Sequence, residues 1–270
     1  MNNKIFKQDL IGQGSFAKVF RAWDAQKQCH VAWKEMEHIQ LACKEATLLR
    51  EMKHPLFPRY LDYWEENQKG ILIMEYVYGE NLEQFLARRG FVSEKMCIEI
   101  ALELASGLLY LHERKSPVVF RDLKPANIMI RQDGRVKLLD MGCACTEERE
   151  RKSYAGNVEY SPWEQFEAET PIGTYSDVYA LGKVLQTMLH KEKGKDSGMM
   201  EISKMCTKET IGERLPDMRS VIAVLSAYNN FRSRKGILKK RNGANRAFIK
   251  KMAHNSIIYE ENVWKKSQSS

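Results

Sequence analysis

Asn127-Ile-Met-Ile-Arg-Gln-Asp133-Gly134-Arg-Val-Lys-Leu-Leu-Asp140 is the stretch from which the rest of the chain is read. Two apolar runs flank Asp133-Gly134, a signal for a two-residue type I′ turn, so the segment is expected to form a β-hairpin. Asn127 and Asp140 are equidistant from the centre of that pair. An antiparallel register set by such a turn brings an amide oxygen and a carboxylate together at the open end of the hairpin. Asp122 stands five residues upstream, in a loop that contains Pro125. Hard oxygen donors suit Mg²⁺ better than zinc, and so small a donor set leaves positions for water and phosphate. Taken alone, the hairpin is better read as polar residues that merely end two strands.

Three further segments change that balance. Leu10-Ile-Gly12-Gln-Gly14-Ser-Phe-Ala17-Lys-Val19 lies between strand-like runs, and its glycines predict a hairpin tip whose backbone N–H groups can approach phosphates closely. The residues after it alternate and are aromatic, which argues against the helix of a dinucleotide-binding βαβ unit. In Val31-Ala32-Trp33-Lys34-Glu35-Met36, a period of two places Ala32, Lys34 and Met36 on one face. A lysine among apolar groups needs a counter-charge. The next segment supplies one: Leu41, Leu48, Leu49 and Met52 form the expected apolar stripe of a helix, with Glu45 inside it. Singly, these features read as a turn, a surface lysine and a rim glutamate.

Together, and in this order, they resemble the protein kinase family over about residues 5–225. Gly12 to Val19 is similar to the Gly-rich loop, Lys34 to the β3 lysine and Glu45 to its helix C partner. Met74-Glu75-Tyr76-Val77 resembles the hinge, with Met74 as gatekeeper. Phe120-Arg121-Asp122-Leu123-Lys124-Pro125-Ala126-Asn127 resembles the catalytic loop, Asp140-Met141-Gly142 the metal-binding triplet, and Ser161-Pro162-Trp163-Glu164 the end of the activation segment. Tyr175-Ser-Asp177-Val-Tyr-Ala-Leu-Gly182 is similar to the start of helix F.

The resemblance implies an α+β, bilobal protein kinase fold, with a small β-rich N-lobe carrying helix C and a larger helical C-lobe. The kinase domain is expected over residues 1–228 (N-lobe about 1–75, hinge 76–79, C-lobe 80–228), followed by a basic C-terminal tail, 229–270. It implies ATP and Mg²⁺ as cofactors and protein Ser/Thr hydroxyls as acceptors. Asp122 would orient the substrate hydroxyl and accept its proton; Lys124 would neutralise the γ-phosphate, and Asn127 and Asp140 would hold the metal. Lys34, held by Glu45, would grip the α- and β-phosphates beneath Gly12 and Gly14. Val19, Ala32 and Met129 would enclose the adenine beside Met74, Glu75 and Val77. Glu164 would pair with Arg214. Ala17, Phe120, Met141 and Asn157 depart from the family pattern. They leave two rival readings: a pseudokinase or scaffold that binds partners through a kinase fold, and a small-molecule kinase of similar fold.

With 270 residues, 43% of them hydrophobic, the chain can bury a large core without disulfides. Cys29, Cys43, Cys97, Cys143, Cys145 and Cys206 show no paired zinc spacing. With no spanning apolar run and no signal-peptide pattern, a cytoplasmic setting is expected. Residues 229–270 carry 11 basic and 2 acidic side chains, leaving 32 against 33 for residues 1–228. All of the excess positive charge therefore sits in the tail, where it suits an acidic partner, an anionic membrane or nucleic acid, or is simply solvated. Phe248, Met252, Ile257, Ile258, Val263 and Trp264 predict an amphipathic helix there. In residues 80–228, Ser93 is the expected N-cap of a helix striped by Met96, Ile100, Leu104, Leu108 and Leu111, and Val178, Leu181, Leu185 and Met188 stripe a second. Thr146, Ser153 and Tyr154 are candidate phosphorylation sites, with Arg121 as the phosphate's partner, or Glu147, Glu148 and Glu150 supply that negative charge already.

Overall fold

The computed structural model of the chain describes residues 4–14, 16–146, 156–167, 170–189, 198–235 and 249. It divides into two compact units, residues 1–80 with 128–142, and residues 81–127 with 143–270. Among the described residues no helix is long and apolar enough to cross a membrane.

In the first unit, β1 (Ile5–Gln13), β2 (Ala17–Asp24), β3 (Cys29–Met36), β4 (Tyr60–Glu66) and β5 (Lys69–Glu75) form an antiparallel sheet in the order β1-β2-β3-β5-β4. One helix, α1 (Ile39–Glu51), packs on β3, β4 and β5. Strand β5 is apolar from Gly70 to Met74 because both of its faces are covered. Ala22, Val31, Ile71 and Ile73 make a core on one side, flanked by Ile5, Trp33, Leu61 and Trp64. On the other side lie Ala32, Lys34 and Met36. Burying each large aliphatic side chain of such a core contributes about 1.5–3 kcal/mol.

The face that α1 buries differs from the stripe expected. Leu41 is 45% exposed and Leu48 and Met52 are only half-buried, whereas Ala42, Glu45, Ala46 and Leu49 point inward. The buried set still has helical spacing, but two of its four members are alanines. The cause lies in the sheet: Gly70 of β5 sits directly beneath Ala42, so close that a Cβ on Gly70 would overlap the Ala42 methyl. A missing side chain opposite a minimal one lets helix and strand approach, and Leu41 would be too bulky for that seam.

The hairpin also departs from expectation. Short strand β6 (Gly79–Asn81) joins β8 (Ile128–Arg131) and β9 (Val136–Leu138) in a small sheet, and β8 pairs with β9 as Ile128↔Leu138 and Ile130↔Val136. Arg131 N–H donates to Arg135 O, and Gly134 N–H donates to Arg131 O. The loop is therefore Gln132-Asp133-Gly134, centred on Asp133, with Gly134 at φ 80°. A type I′ turn would require positive φ at Asp133 as well, and Asp133 does not adopt it. The register is accordingly one residue off the one predicted, and Asn127 and Asp140 are not equidistant from the centre of the turn.

In the second unit, α2 (Leu82–Arg89) is opened by a capping box between Asn81 and Gln84 and packs on a 3₁₀ turn at Pro125–Asn127. The long helix α3 (Glu94–His112) starts at Ser93, whose Oγ accepts from Met96 N–H as expected. Ile100, Leu104, Leu108 and Leu111 are buried and Met96 is half-buried. Strand β7 (Val118–Val119) pairs with β10 (Cys145–Thr146). Helix α4 (Thr174–Leu189) buries all four of its expected stripe residues against α3 and α5 (Gly198–Cys206), and α6 (Met218–Lys235) packs on α3 and α5. Helix α6 crosses position 228, where the domain was expected to end, and Arg232 within it pairs with Glu94 at 3.1 Å. Of the expected tail helix, Phe248 and residues 252–264 lie outside the described residues; their neighbour Ile249 is buried beside Gly198 and Tyr228. Ser153, Tyr154 and Glu147, Glu148 and Glu150 also lie outside them.

Candidate active site

The first unit carries a buried ionic cluster around Lys34. Val19 lies opposite Lys34 across β2 and β3, and Ala32 lies opposite Met74 across β3 and β5. Directly opposed residues share a face, so Val19, Ala32, Lys34 and Met74 share the side of the sheet that α1 covers. Lys34 Nζ donates to Glu45 Oε1 at 2.7 Å, to Glu45 Oε2 at 2.8 Å and to Asp140 Oδ1 at 2.8 Å. All three N–H bonds of the ammonium are thereby used. Burial alone would discharge Lys34, but the Glu45 and Asp140 carboxylates more than offset it and hold its pKa above the ordinary lysine range. The expected partnership of Lys34 and Glu45 is present, set up by the Gly70–Ala42 seam, since Glu45 lies one turn beyond Ala42 on the same helical face.

Asp140-Met141-Gly142 wraps this cluster. Asp140 has φ 65°, a left-handed conformation that aspartate tolerates, and its Oδ1 also accepts from Gly142 N–H at 3.0 Å. Met141 is buried, and its N–H donates to Glu45. At the tip of the β1–β2 hairpin Gly12 pairs with Val19, and Gly14 N–H donates to Ala17 O. Gly14 is exposed and a Cβ there would meet no atom within 4 Å, so space is not what demands this glycine. Val77 and Met129 are half-buried. The Glu75 carboxylate is engaged elsewhere: it accepts from Lys137 Nζ at 3.0 Å and Arg59 N–H at 3.1 Å. Both bonds fall on the same carboxylate oxygen, Oε2. Although burial raises it, these hydrogen bonds prevail and hold the Glu75 carboxyl below the usual range.

The second unit holds the loop after β7. Lys124 Nζ donates to Asp122 Oδ1 and Oδ2 at 3.0 and 2.7 Å, and Asn127 Nδ2 donates to Asp122 O and Oδ2, both at 2.9 Å. The expected trio of Asp122, Lys124 and Asn127 is thus brought together. With its NH₂ committed to Asp122, Asn127 presents its oxygen on the other side of the amide. Arg121 is buried at φ 70°, and Asp177 holds the loop's backbone: its carboxylate accepts Phe120 N–H at 2.8 Å and Arg121 N–H at 2.9 Å. His112 Nε2 lies 2.9 Å from the same carboxylate. Glu164 and Arg214, both fully buried, form the predicted pair, with Arg214 Nη2 donating to Glu164 Oε2 at 2.9 Å and Nη1 to Oε1.

Three contributors carry no motif in the sequence or only a faint one: Lys137, His112 and Gln165. Gln165 Nε2 donates to Arg121 O at 2.8 Å. Lys137 carried a signal, a lone lysine between the valine and leucine of an apolar strand; His112 and Gln165 carried none. Asn157 turns its side-chain oxygen to Glu159 N–H at 2.9 Å.

Chemically, Asp140 and Asn127 each offer a hard oxygen. Among the described residues no three His, Cys, Asp or Glu side chains cluster to cage a metal. The Asp140 carboxylate and the Asn127 amide are, each in its own unit, the kind of oxygen donor that Mg²⁺ takes beside water and phosphate oxygens, whereas structural zinc is held chiefly by Cys and His.

A family model described as "Protein kinase domain" matches residues 6–256 of the chain. The chain is similar to Serine/threonine-protein kinase WNK2 of Mus musculus, at 31% identity over 206 residues, and to Serine/threonine-protein kinase WNK of Caenorhabditis elegans, at 32% over 207. It is also similar to Serine/threonine-protein kinase tousled-like 1 of Caenorhabditis elegans, at 27% over 220 residues. These alignments cover 71%, 71% and 72% of this chain and 10%, 11% and 23% of those proteins. The chain spans less than a quarter of the length of each of them.

Proposed function

This chain belongs to the protein kinase family, and on that premise we propose that it is an ATP-dependent Ser/Thr protein kinase, transferring the γ-phosphate of ATP to hydroxyls of protein substrates and of itself. The observation that carries this reading is the buried Lys34, charged and held by Glu45 and Asp140. A buried lysine with two carboxylates is an expensive arrangement for stability alone, and it suits a group that exchanges one carboxylate for a phosphate oxygen. Phosphoryl transfer asks the protein for placement and charge more than for covalent chemistry.

In this proposal Lys34 keeps Glu45 and trades Asp140 for the α- and β-phosphates. Asp140 and Asn127 hold Mg²⁺, which when bound neutralises charge on the phosphates. Gly12 and Gly14 let the loop backbone approach them. Val19, Ala32, Met74, Val77 and Met129, with the backbone of Glu75, take the adenine. Asp122 orients the acceptor hydroxyl and takes its proton, while Lys124, now on Asp122, moves to the transferred phosphate. The relatives' names support Ser/Thr acceptors, as does the Asp-Leu-Lys-Pro form of the loop. Six cysteines present as thiols support a reducing, cytoplasmic setting.

Radiolabelled ATP with Mg²⁺, given to the native chain and to Asp122→Asn, tests the proposal. Label on protein in the first sample and not in the second is expected. Label in neither would favour a scaffold, and label moving only to an added metabolite would favour a small-molecule kinase.

A further inference from the structure

The peptide group before Asp122 belongs to Arg121, a bulky residue held in the left-handed region. Such a conformation persists only where the surroundings over-determine it. Both ends of the residue are pinned from within its own unit. Asp177 Oδ1 accepts the N–H at 2.9 Å, and Gln165 Nε2 donates to the carbonyl at 2.8 Å. Gln165 is 4% exposed, and its Nε2 also donates to Ser161 Oγ at 3.2 Å. The space it occupies exists because residue 156 is glycine: a Cβ on Gly156, which has φ 117°, would run into Gln165 Nε2, Ser161 Oγ and Arg121 O. Asn157, whose position resembles that of the family's loop-contacting threonine, spends its side-chain oxygen on Glu159 N–H instead.

We propose that Gln165 is a positioning residue for phosphoryl transfer: by clamping the Arg121 carbonyl it fixes the orientation of Asp122 and ties the 156–167 segment to the catalytic loop. This rests on the role proposed for Asp122 as the acceptor of the hydroxyl proton. The Asp177 anchor holds the nitrogen side of Arg121 only. Without Gln165 the Arg121 carbonyl loses this donor, and the peptide that leads into Asp122 is held less closely, with Asn127 and Lys124 gripping Asp122 from its far side.

Two variants of the full chain test it. Gln165→Leu keeps an uncharged side chain branched at its end, one bond shorter, and removes the donor; its kcat is expected to fall about tenfold to a hundredfold, with KM for ATP within about twofold of the native value. Gln165→Glu keeps the shape, but only its protonated form has an O–H to give to Arg121 O. Its kcat relative to native protein is therefore expected to rise as pH is lowered from about 8 to about 6. A packing role alone gives no such recovery, so this ratio decides the matter even if Gln165→Leu melts early. Native-like kcat in both variants, or a deficit in Gln165→Glu that is the same at every pH, overturns the proposal. An inactive native chain would instead remove the kinase reading on which it stands.

Discussion

Adding one methyl group at position 70 is expected to pull Lys34 and Glu45 apart. The Cβ of Gly70→Ala would overlap the Ala42 methyl and press on the Tyr63 ring, 3.3 Å away at Cε2. Carbon atoms settle at about 3.5–4.0 Å, so α1 must back away from β5 by more than about 1 Å. Lys34 meets Glu45 at 2.7 and 2.8 Å, and a retreat of that size takes both contacts past about 3.2 Å, where such bonds weaken. Overpacking of this kind destabilises by about 1–3 kcal/mol, and a misplacement of about 1 Å costs on the order of a hundredfold in rate. Thermal melting and phosphotransfer assays should show both losses. Adding Ala42→Gly clears the seam, so the double variant should regain most of the rate while keeping the helix penalty of about 1 kcal/mol for glycine. Native melting and rate in Gly70→Ala, or a double variant no faster than the single, would refute the close-packing account.

Arg214→Met should destabilise the chain by about 3–5 kcal/mol in denaturant titration, because it strands a fully buried Glu164 carboxylate; a cycle with Glu164→Gln should show strong coupling, and additive losses would contradict it. Glu75, depressed by Lys137 and Arg59, contributes stability above the ordinary carboxylate pKa and loses it as pH falls through its lowered folded value. The stability gap between native protein and Lys137→Met should therefore narrow on acidification, and a gap constant with pH would exclude the link. Burial pushes the Cys206 thiol up to about 12, so under mild alkylation read by peptide mass, exposed Cys29 and Cys43 should react and Cys206 should not.

Features were legible in the sequence where they are local. Alternation placed Lys34 inward, and helical spacing placed Ile100, Leu104, Val178 and Leu185 in their cores, because burial repeats with the backbone's own period. Glu164 with Arg214 was legible through motif order alone. The buried face of α1 was not: leucines outrank alanines in any apolar stripe, and only contact with Gly70, nineteen positions beyond Glu51, reverses the order. Gln165 stayed hidden because a single amide reaching a backbone carbonyl 44 residues away leaves no pattern. The hairpin turn was misjudged because Asp-Gly serves two loop lengths, and the choice between them depends on backbone angles that composition does not report.

The register of β9 against β8 sets a parity. Val136 and Leu138 face one way and Lys137 the other, and all three are buried. Slipping β9 by one residue against β8 would reverse the strand's alternation, sending an ammonium into the space shaped for two aliphatic groups and leaving Glu75 with a hydrocarbon neighbour. A strand enclosed on both sides has no harmless way to be turned over. Length changes within β9 should therefore be tolerated in pairs of residues and rejected singly, a rule that a small insertion library would expose.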